Sequence, residues 1–368
     1  MTTSAELKAI APELIKKYNQ RSDLKGLWQN INTLVPYFAL FYLAITSLQQ
    51  QSYLLSLIYT LLLSLFIVRI FMLMHDCGHR SLFKTQIFNT LCGFFTGVFV
   101  GMPQYVWSQH HNFHHSTNGN WEKYRGPLNV MTVEEFKNLS AKKQNAYIRA
   151  RRIIMAPIGA FMYFIFHPRF NWIRGSLQFV VKLYRARQQQ PGKTFAELAK
   201  EIETPYWKDK KEYLHMSLNN IVLLSIWYIA SLYFGAAAFF TIYIISLSLG
   251  GAMGLIIFII QHNFEDSYAS DTEHWDYYQA ALSGTSFLTF PKVINWFGAD
   301  IAYHHIHHLS ASIPNYNLAA CHREYAHLFD DVFRIRLRDV ASSFKYILWD
   351  QQQQKIISID EFRSMEQA

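Results

Sequence analysis

Four stretches of this chain hold enough consecutive apolar residues to cross roughly 30 Å of hydrocarbon: about 29–48, 53–74, 217–236 and 239–260. They come as two tight pairs, joined by LQQQ at 48–51 and by a turn near Gly235. In lipid every backbone N–H and C=O must be satisfied within its segment, so each stretch has to be a helix and each pair a hairpin that crosses and returns. The expected fold is an all-α integral membrane protein with four transmembrane helices as two hairpins. Composition agrees. Hydrophobic residues make up 51% of the chain, yet the mean hydropathy is only +0.02, so apolar residues are gathered into segments rather than spread.

Both ends of each hairpin share one side of the membrane, and charge indicates which. No Lys or Arg occurs from Leu27 to Val68 or from Ser217 to Ile260. The outer turns are therefore uncharged, and the positive-inside rule makes the other side the cytoplasm. The formal net charge of +8 lies in juxtamembrane blocks such as Lys142-Lys143 and Arg149, Arg151, Arg152. That placement suits an anionic bilayer surface and argues against a nucleic-acid partner. Arg69, at the inner end of the second span, is expected to snorkel to the headgroups. Cys77, Cys92 and Cys321 are too few and too scattered for a disulfide framework or a cysteine metal site. The first 26 residues lack the apolar core and cleavage site of a signal peptide and read as a retained amphipathic lead-in.

Two more apolar stretches are awkward spans: 87–107 holds Gly93, Gly97, Gly101 and Pro103, and 153–167 is short and carries Pro157 and Gly159. A full crossing by either would split the histidine clusters between opposite faces, so both are expected to be re-entrant or interfacial helices. The polar segments 116–152, 184–215 and 315–368 then belong to one cytoplasmic helical cap, formed by 75–216 and 261–368 of a single domain, 1–368. Thr132 with Glu135 is a capping-box signature that opens a helix. QQQ at 188–190 and QQQQ at 351–354 read as exposed connectors.

Sixteen histidines are present, and most fall in three clusters: His75-Asp-Cys-Gly-His79, His110-His111-Asn-Phe-His114-His115 and His304-His305-Ile-His307-His308. On a helix, positions i, i+3 and i+4 share a face. His75 with His79, His111 with His114 and His115, and His304 with His307 and His308 are each expected to aim at one point; His110 and His305 fall off that face. The first cluster ends the second span and the third follows the fourth by about forty residues, so all three meet at the same side of the bilayer. Eight imidazoles exceed what one tetrahedral zinc needs, and thiolates are missing, so two metals are implied; ligand type alone permits iron, copper or zinc. His262, at the inner end of the fourth span, is a ninth candidate. Ligating histidines usually donate their second N–H to an oxygen, which makes Asp76, Glu265, Asp266 and Asp300 candidate supporting carboxylates.

HDCGH, HHNFHH and HHIHH resemble the three histidine boxes of membrane fatty acid desaturases, over a stretch from about Leu65 to Leu318. Arg125-Gly126-Pro127, Val130-Met131-Thr132-Val133, QHNFEDSY from Gln261 and HHLSASIPNYNL from His307 are similar to bacterial and cyanobacterial acyl-lipid desaturases. The resemblance implies a stem of four spans, a cytoplasmic cap holding a non-haem di-iron centre (two Fe ions), and a narrow tunnel for the acyl chain. It places the ligands on His75, His79, His111, His114, His115, His262, His304, His307 and His308, in a multi-pass protein of a bacterial inner membrane with both termini and the active site cytoplasmic.

An unactivated methylene needs an oxidant stronger than any side chain, so metal and O2 as co-substrate must carry the chemistry. The implied reaction removes two hydrogens from a lipid-linked acyl chain to leave a cis alkene. Its two electrons come from an external donor, ferredoxin or a similar carrier, since the chain shows no flavin or dinucleotide fingerprint; the basic cytoplasmic face, with Lys142, Lys143, Arg151 and Arg152, is where that donor is expected to dock. Trp107, Phe113, Trp121 and Trp296 beside the boxes are candidate tunnel residues. Two rival readings stand beside this one. A hydroxylase or ketolase acting on hydrocarbon or carotenoid would use the same boxes. A membrane metal transporter would need ligands near the midplane, whereas no histidine lies inside a predicted span.

Overall fold

A computed structural model describes residues 3–367. It is mostly helical, with α1 Ser4–Tyr18, α2 Asp23–Gln49, α3 Tyr53–Gly78, α4 Gln86–Phe99 and α5 Gln104–Thr117 in the first third. The expected hairpins are α2/α3 and the later pair α11 Lys210–Phe234 and α12 Ala236–Ile260. Only Gly235 separates α11 from α12; its φ of 80° lies in the left-handed region, which glycine adopts without a Cβ clash. Gln49 at one hairpin turn donates to the Phe234 carbonyl at the other (2.6 Å), so the two turns lie side by side and His75 and His262 both fall at the opposite end of the bundle. At Gly250 a Cβ would sit 2.6 Å from the Ser64 carbonyl, so the missing side chain is what lets α12 press against α3. Large apolar side chains stay exposed along the outside, among them Val35, Leu54, Ile229 and Leu232, as a surface facing lipid requires.

The stretch expected to be re-entrant at 87–107 is a helical pair. Thr85 binds Asp23 through its N–H and hydroxyl (2.9 and 2.8 Å) at the end of the bundle where α2 begins. From there α4 advances alongside α2 until Phe99 meets Tyr37 and Phe38, and α5 returns to bring His111 beside His75. The reversal runs through Gly101, whose φ is 73° and whose Cβ would meet the Phe164 carbonyl at 2.7 Å.

The second awkward stretch is longer than expected. Ile153–Met155, α8 (Ala156–Ala160, after α6 Val133–Lys137 and α7 Ala141–Ala150), a π-helical segment Phe161–Phe166 and α9 His167–Gln189 form one continuous helical run. Together with α2, α3, α11 and α12 this makes five helices, among the described residues, that are long and apolar enough to cross a membrane. The π segment has a cause in sequence. Pro168 has no N–H to give the preceding turn, and the Phe164 carbonyl takes its hydrogen bond from the Arg169 guanidinium instead (2.7 Å).

Beyond the bundle, the cap is not purely helical. Its helices are α10 Phe195–Glu201, α13 Tyr277–Ser283, α14 Lys292–Phe297, α15 His304–Leu309, α16 Asn315–Glu324, α17 Val340–Ser343 and α18 Ile359–Gln367. Between them run β1 Met131–Thr132, β2 Phe287–Leu288, β3 Arg334–Ile335, β4 Tyr346–Asp350 and β5 Lys355–Ser358, with β1 parallel to β4, β4 antiparallel to β5, and β2 parallel to β3. Residues 351–354, the QQQQ run, are the exposed β4–β5 turn, and the Thr132–Glu135 capping box opens α6. β1, β2 and β3 are too short for alternation to register and pair only because distant segments meet, while β4 and β5 are buried along nearly their whole length and so do not alternate.

Arg69 does not snorkel. It is buried, donates to Thr33 Oγ1 (3.0 Å) and to the Trp296 carbonyl, and lies over the Trp296 ring at 3.8 Å. A guanidinium offered acceptors and an aromatic face inside the fold loses less by turning inward than a cation facing hydrocarbon.

Candidate metal centre

The nine histidines converge from four elements. The last turn of α3 carries His75, and His79 caps it; α5 carries His111, His114 and His115; His262 lies in the turn after α12; α15 carries His304, His307 and His308. Their ring nitrogens fall into two groups, each with all its ligand atoms within 4.8 Å of one another: His75, His79, His111, His115 and His307, and then His114, His262, His304 and His308. The groups adjoin through the His115 and His308 rings, stacked at 4.2 Å.

His75 and His79 aim at one point, as expected, but the expectation fails for boxes two and three. At 3.6 residues per turn, i+3 and i+4 fall on opposite sides of position i, roughly 100° from each other. His114 therefore turns to one group while His111 and His115 serve the other. Likewise His307 leaves the group that holds His304 and His308. Boxes two and three each straddle both groups, so the two groups are braced against each other by two short helices.

Several of the donor atoms are buried and unpaired, and others face only one another. Nε2 of His79, His114, His307 and His308 is buried with no hydrogen-bond partner among the described residues. Nε2 of His115 faces Nε2 of His111 at 3.0 Å, and Nε2 of His304 faces Nε2 of His262 at 3.0 Å. Burial, with the neighbouring imidazoles adding to it, holds His79, His111, His114, His115, His304, His307 and His308 well below the ordinary histidine value. His262 is taken down by burial to about 4, against the upward pull of the Gly284 carbonyl. Buried neutral imidazoles with orphaned nitrogens are costly by themselves and are what a metal ion needs.

His75 and His262 are each oriented by an oxygen against Nδ1. His75 Nδ1 is 2.9 Å from Asp76 Oδ1, and Asp76 Oδ2 accepts the Asn315 N–H at 3.1 Å. His262 Nδ1 lies 3.1 Å from the Gly284 carbonyl. Of the carboxylates considered from sequence, Asp76 alone is seen against a ring nitrogen of the nine. Glu265 is exposed, Asp266 pairs with Lys355 (2.7 Å), and Asp300 is raised by burial and faces Arg69 and Arg323. Asp266 and Asp300 both have positive φ, so the turns they make swing their side chains away from the helical spacing assumed for them. The two excluded box residues belong to neither group: His110 is largely exposed, although it lines the cavity that opens from the centre, and His305 is buried against His322 (3.0 Å), which sequence reading treats as isolated.

A cavity of about 360 Å³ opens from the centre into the bundle. His75, His111, His114 and His304, drawn from both groups, form part of its wall; Phe71, Trp107, Tyr163, Phe164, Leu255 and Phe258 are among the apolar and aromatic remainder. Trp107 stacks on His111 at 4.5 Å. The other three aromatic candidates lie outside the lining: Phe113 is exposed, Trp121 packs with Val130 and Ile356, and Trp296 covers Arg69. Sequence reasoning passed over Tyr124, which lines the cavity with its ring 4.7 Å from His114, although it directly precedes the Arg125-Gly126-Pro127 run. It also passed over Gly284, whose contribution is a backbone carbonyl and leaves no signal in sequence.

Comparison with known proteins gives a consistent picture. The Fatty acid desaturase family matches residues 52–338. A "Fatty acid desaturase" of Bacillus subtilis is 33% identical over 94% of this chain and 88% of its own. The "sn-1 oleoyl-lipid 12-desaturase" of Anabaena variabilis is 23% identical over 75% of this chain and 70% of its own. The protein of the same name from Picosynechococcus is 25% identical, over 67% and 62%.

Proposed function

Because the chain belongs to the fatty acid desaturase family, we propose that it introduces a cis double bond into a lipid-linked acyl chain, using O2 and two external electrons. The observation that supports this best is the apolar cavity ending on imidazoles of both groups. Such a shape accepts a hydrocarbon chain and presents a methylene to a two-metal site.

Two iron ions fit the donors. His75, His79, His111, His115 and His307 would hold one, and His114, His262, His304 and His308 the other. When bound with dioxygen, the irons supply the oxidising power for removing hydrogen from an unactivated carbon. The chain's own residues do the rest. Asp76 and the Gly284 carbonyl hold the tautomers of His75 and His262, so that Nε2 of each faces the site. Phe71, Trp107, Phe164 and Phe258 line the cavity with apolar surface, which excludes water and confines the chain.

The topology we propose keeps four spans, α2, α3, α11 and α12, with the termini, cap and site cytoplasmic in a bacterial inner membrane. The helical run from 153 to 189 carries Arg169, Arg174, Lys182, Arg185 and Arg187 in its α9 part, a charge load that favours an interfacial helix over a crossing. The electrons come from a ferredoxin-like carrier. Arg151, one of the cations expected to meet that carrier, is instead committed to the Leu128 and Asn129 carbonyls and lies over the Tyr147 ring.

The test is mass spectrometry of fatty acids, derivatised to locate double bonds, from cells expressing the wild type and a His304→Ala, His307→Ala variant that removes one imidazole from each group. A new unsaturated species in the wild type alone is the expected result. A hydroxylated or ketonic product without an alkene would overturn the proposal.

A further inference from the structure

On the flank of the cap, Lys142, Arg149 and Arg152 meet Arg363 of α18 around a pocket of about 340 Å³, completed by Asn145 and Ile148. Residues 142, 145, 149 and 152 follow helical spacing and share one face of α7 and the turn after it. None of the four cations has an acidic partner among the described residues; the nearby carboxylates Glu135 and Glu366 are paired with Arg125 and Lys137. Four like charges around one concavity repel each other unless an anion sits between them, and guanidinium groups are suited to phosphate oxygens.

The chain continues without a break into Ile153, Ile154 and Met155, exposed by 37%, 74% and 36%. Ile153 and Ile154 then line an apolar groove of about 540 Å³ on the outside of α3 and α12, with Leu61, Leu65, Met253 and Ile256. Ser64 brings the one hydroxyl to this groove, and it is spent on the Thr60 carbonyl (2.8 Å). A cationic pocket with room for a phosphate-bearing headgroup and a groove fit for a hydrocarbon tail are therefore lined by consecutive residues, Arg152 and Ile153.

We propose that these two cavities form a binding site for an anionic membrane phospholipid, with its phosphate among Lys142, Arg149, Arg152 and Arg363 and one acyl chain in the groove. Charge complementarity and an apolar groove beginning one residue away favour a lipid over a soluble anion. The site is distinct from the histidine cavity: Gly159 of α8 lines that cavity, whereas Pro157 of the same helix lines the groove. The proposal does not depend on the reaction assigned above. A lipid held there ties α7 and α8, and so one wall of the histidine cavity, to the bilayer.

The experiment is native mass spectrometry of the full-length protein released from micelles containing equal phosphatidylglycerol and phosphatidylcholine. The wild type is expected to retain phosphatidylglycerol preferentially. An Arg149→Gln, Arg152→Gln variant should lower that retention roughly thirtyfold, taking about one kcal/mol per cation and 1.4 kcal/mol per decade. Arg363→Gln, on another helix, should lower it about fivefold, and this variant keeps the test intact if the double variant fails to fold. Ile154→Trp, which obstructs the groove, should reduce both lipids. Equal retention of the two lipids by the wild type would overturn the proposal, as would unchanged retention in the arginine variants. Complete displacement by millimolar inorganic phosphate would assign the pocket to the free anion instead. Variants that keep the lipid but accept electrons more slowly from the carrier would make the patch a protein-docking surface and end the lipid reading.

Discussion

Replacing Gly254 by Leu should shorten the acyl chains this protein accepts. Gly254 lies on α12 eight residues before His262, about 12 Å along the helix at 1.5 Å per residue, and it lines the histidine cavity. A Cβ built there meets nothing within 4 Å, so the new side chain enters open space and not a packed neighbour. Helix propensity favours the change by roughly 0.5–1 kcal/mol, so the fold should not suffer. The four side-chain carbons of Leu occupy room otherwise taken by about the same number of substrate methylenes. At ~0.8 kcal/mol for each methylene denied burial, a chain reaching past this point loses roughly 3 kcal/mol, or about a hundredfold in kcat/KM. The assay is turnover of a series of saturated acyl lipids of increasing length by reconstituted protein, with iron content measured alongside. Long substrates should fail and short ones keep their rate at unchanged iron content. An unaltered length profile would refute the assignment of this cavity to the acyl chain.

Asp76→Asn removes the carboxylate that holds His75 Nδ1 and accepts the Asn315 N–H; iron bound per protein chain, followed against a competing chelator, should show an affinity loss on the order of 10–100-fold. pH offers an independent check on the metal-free protein. The folded His262 value of about 4 lies below the unfolded 6.5, so the unfolded chain binds more protons in that window. Stability should fall as pH drops from about 6.5 and level off below about 4, by roughly 3 kcal/mol from this residue alone, read as falling Tm with the iron removed. Gly101→Ala forces a Cβ toward the Phe164 carbonyl at positive φ; a loss on the order of 2 kcal/mol, seen as a lower Tm with no change in chain-length preference, is expected.

Much of the architecture was legible because the bilayer leaves few options. Four apolar runs with uncharged turns can only be helices in two hairpins, and their bounds in the structure, Asp23–Gln49, Tyr53–Gly78, Lys210–Phe234 and Ala236–Ile260, overlap the expected ones. The fifth long helical run was underestimated because its polar second half hides the continuity of the helix, which a π segment carries past Pro168. The small sheets of the cap were invisible because β1, β2 and β3 are two residues each, and their pairing joins segments that lie far apart in the chain.

At the centre itself, the sequence determined which histidines could take part, since helical spacing separates His111, His114 and His115 from His110, and His304, His307 and His308 from His305. It did not determine how they divide. That choice rests on the angle at which α5 and α15 face α3 and the end of α12, because i+3 and i+4 point to different sides of a helix and only a fixed neighbour can say which side each one meets. The same holds for the supporting groups. Asp76, Glu265, Asp266 and Asp300 are alike in sequence as carboxylates near a box, but the backbone turns at Asp266 and Asp300 direct two of them elsewhere, and the oxygen that steadies His262 is a carbonyl supplied by Gly284 from a separate loop.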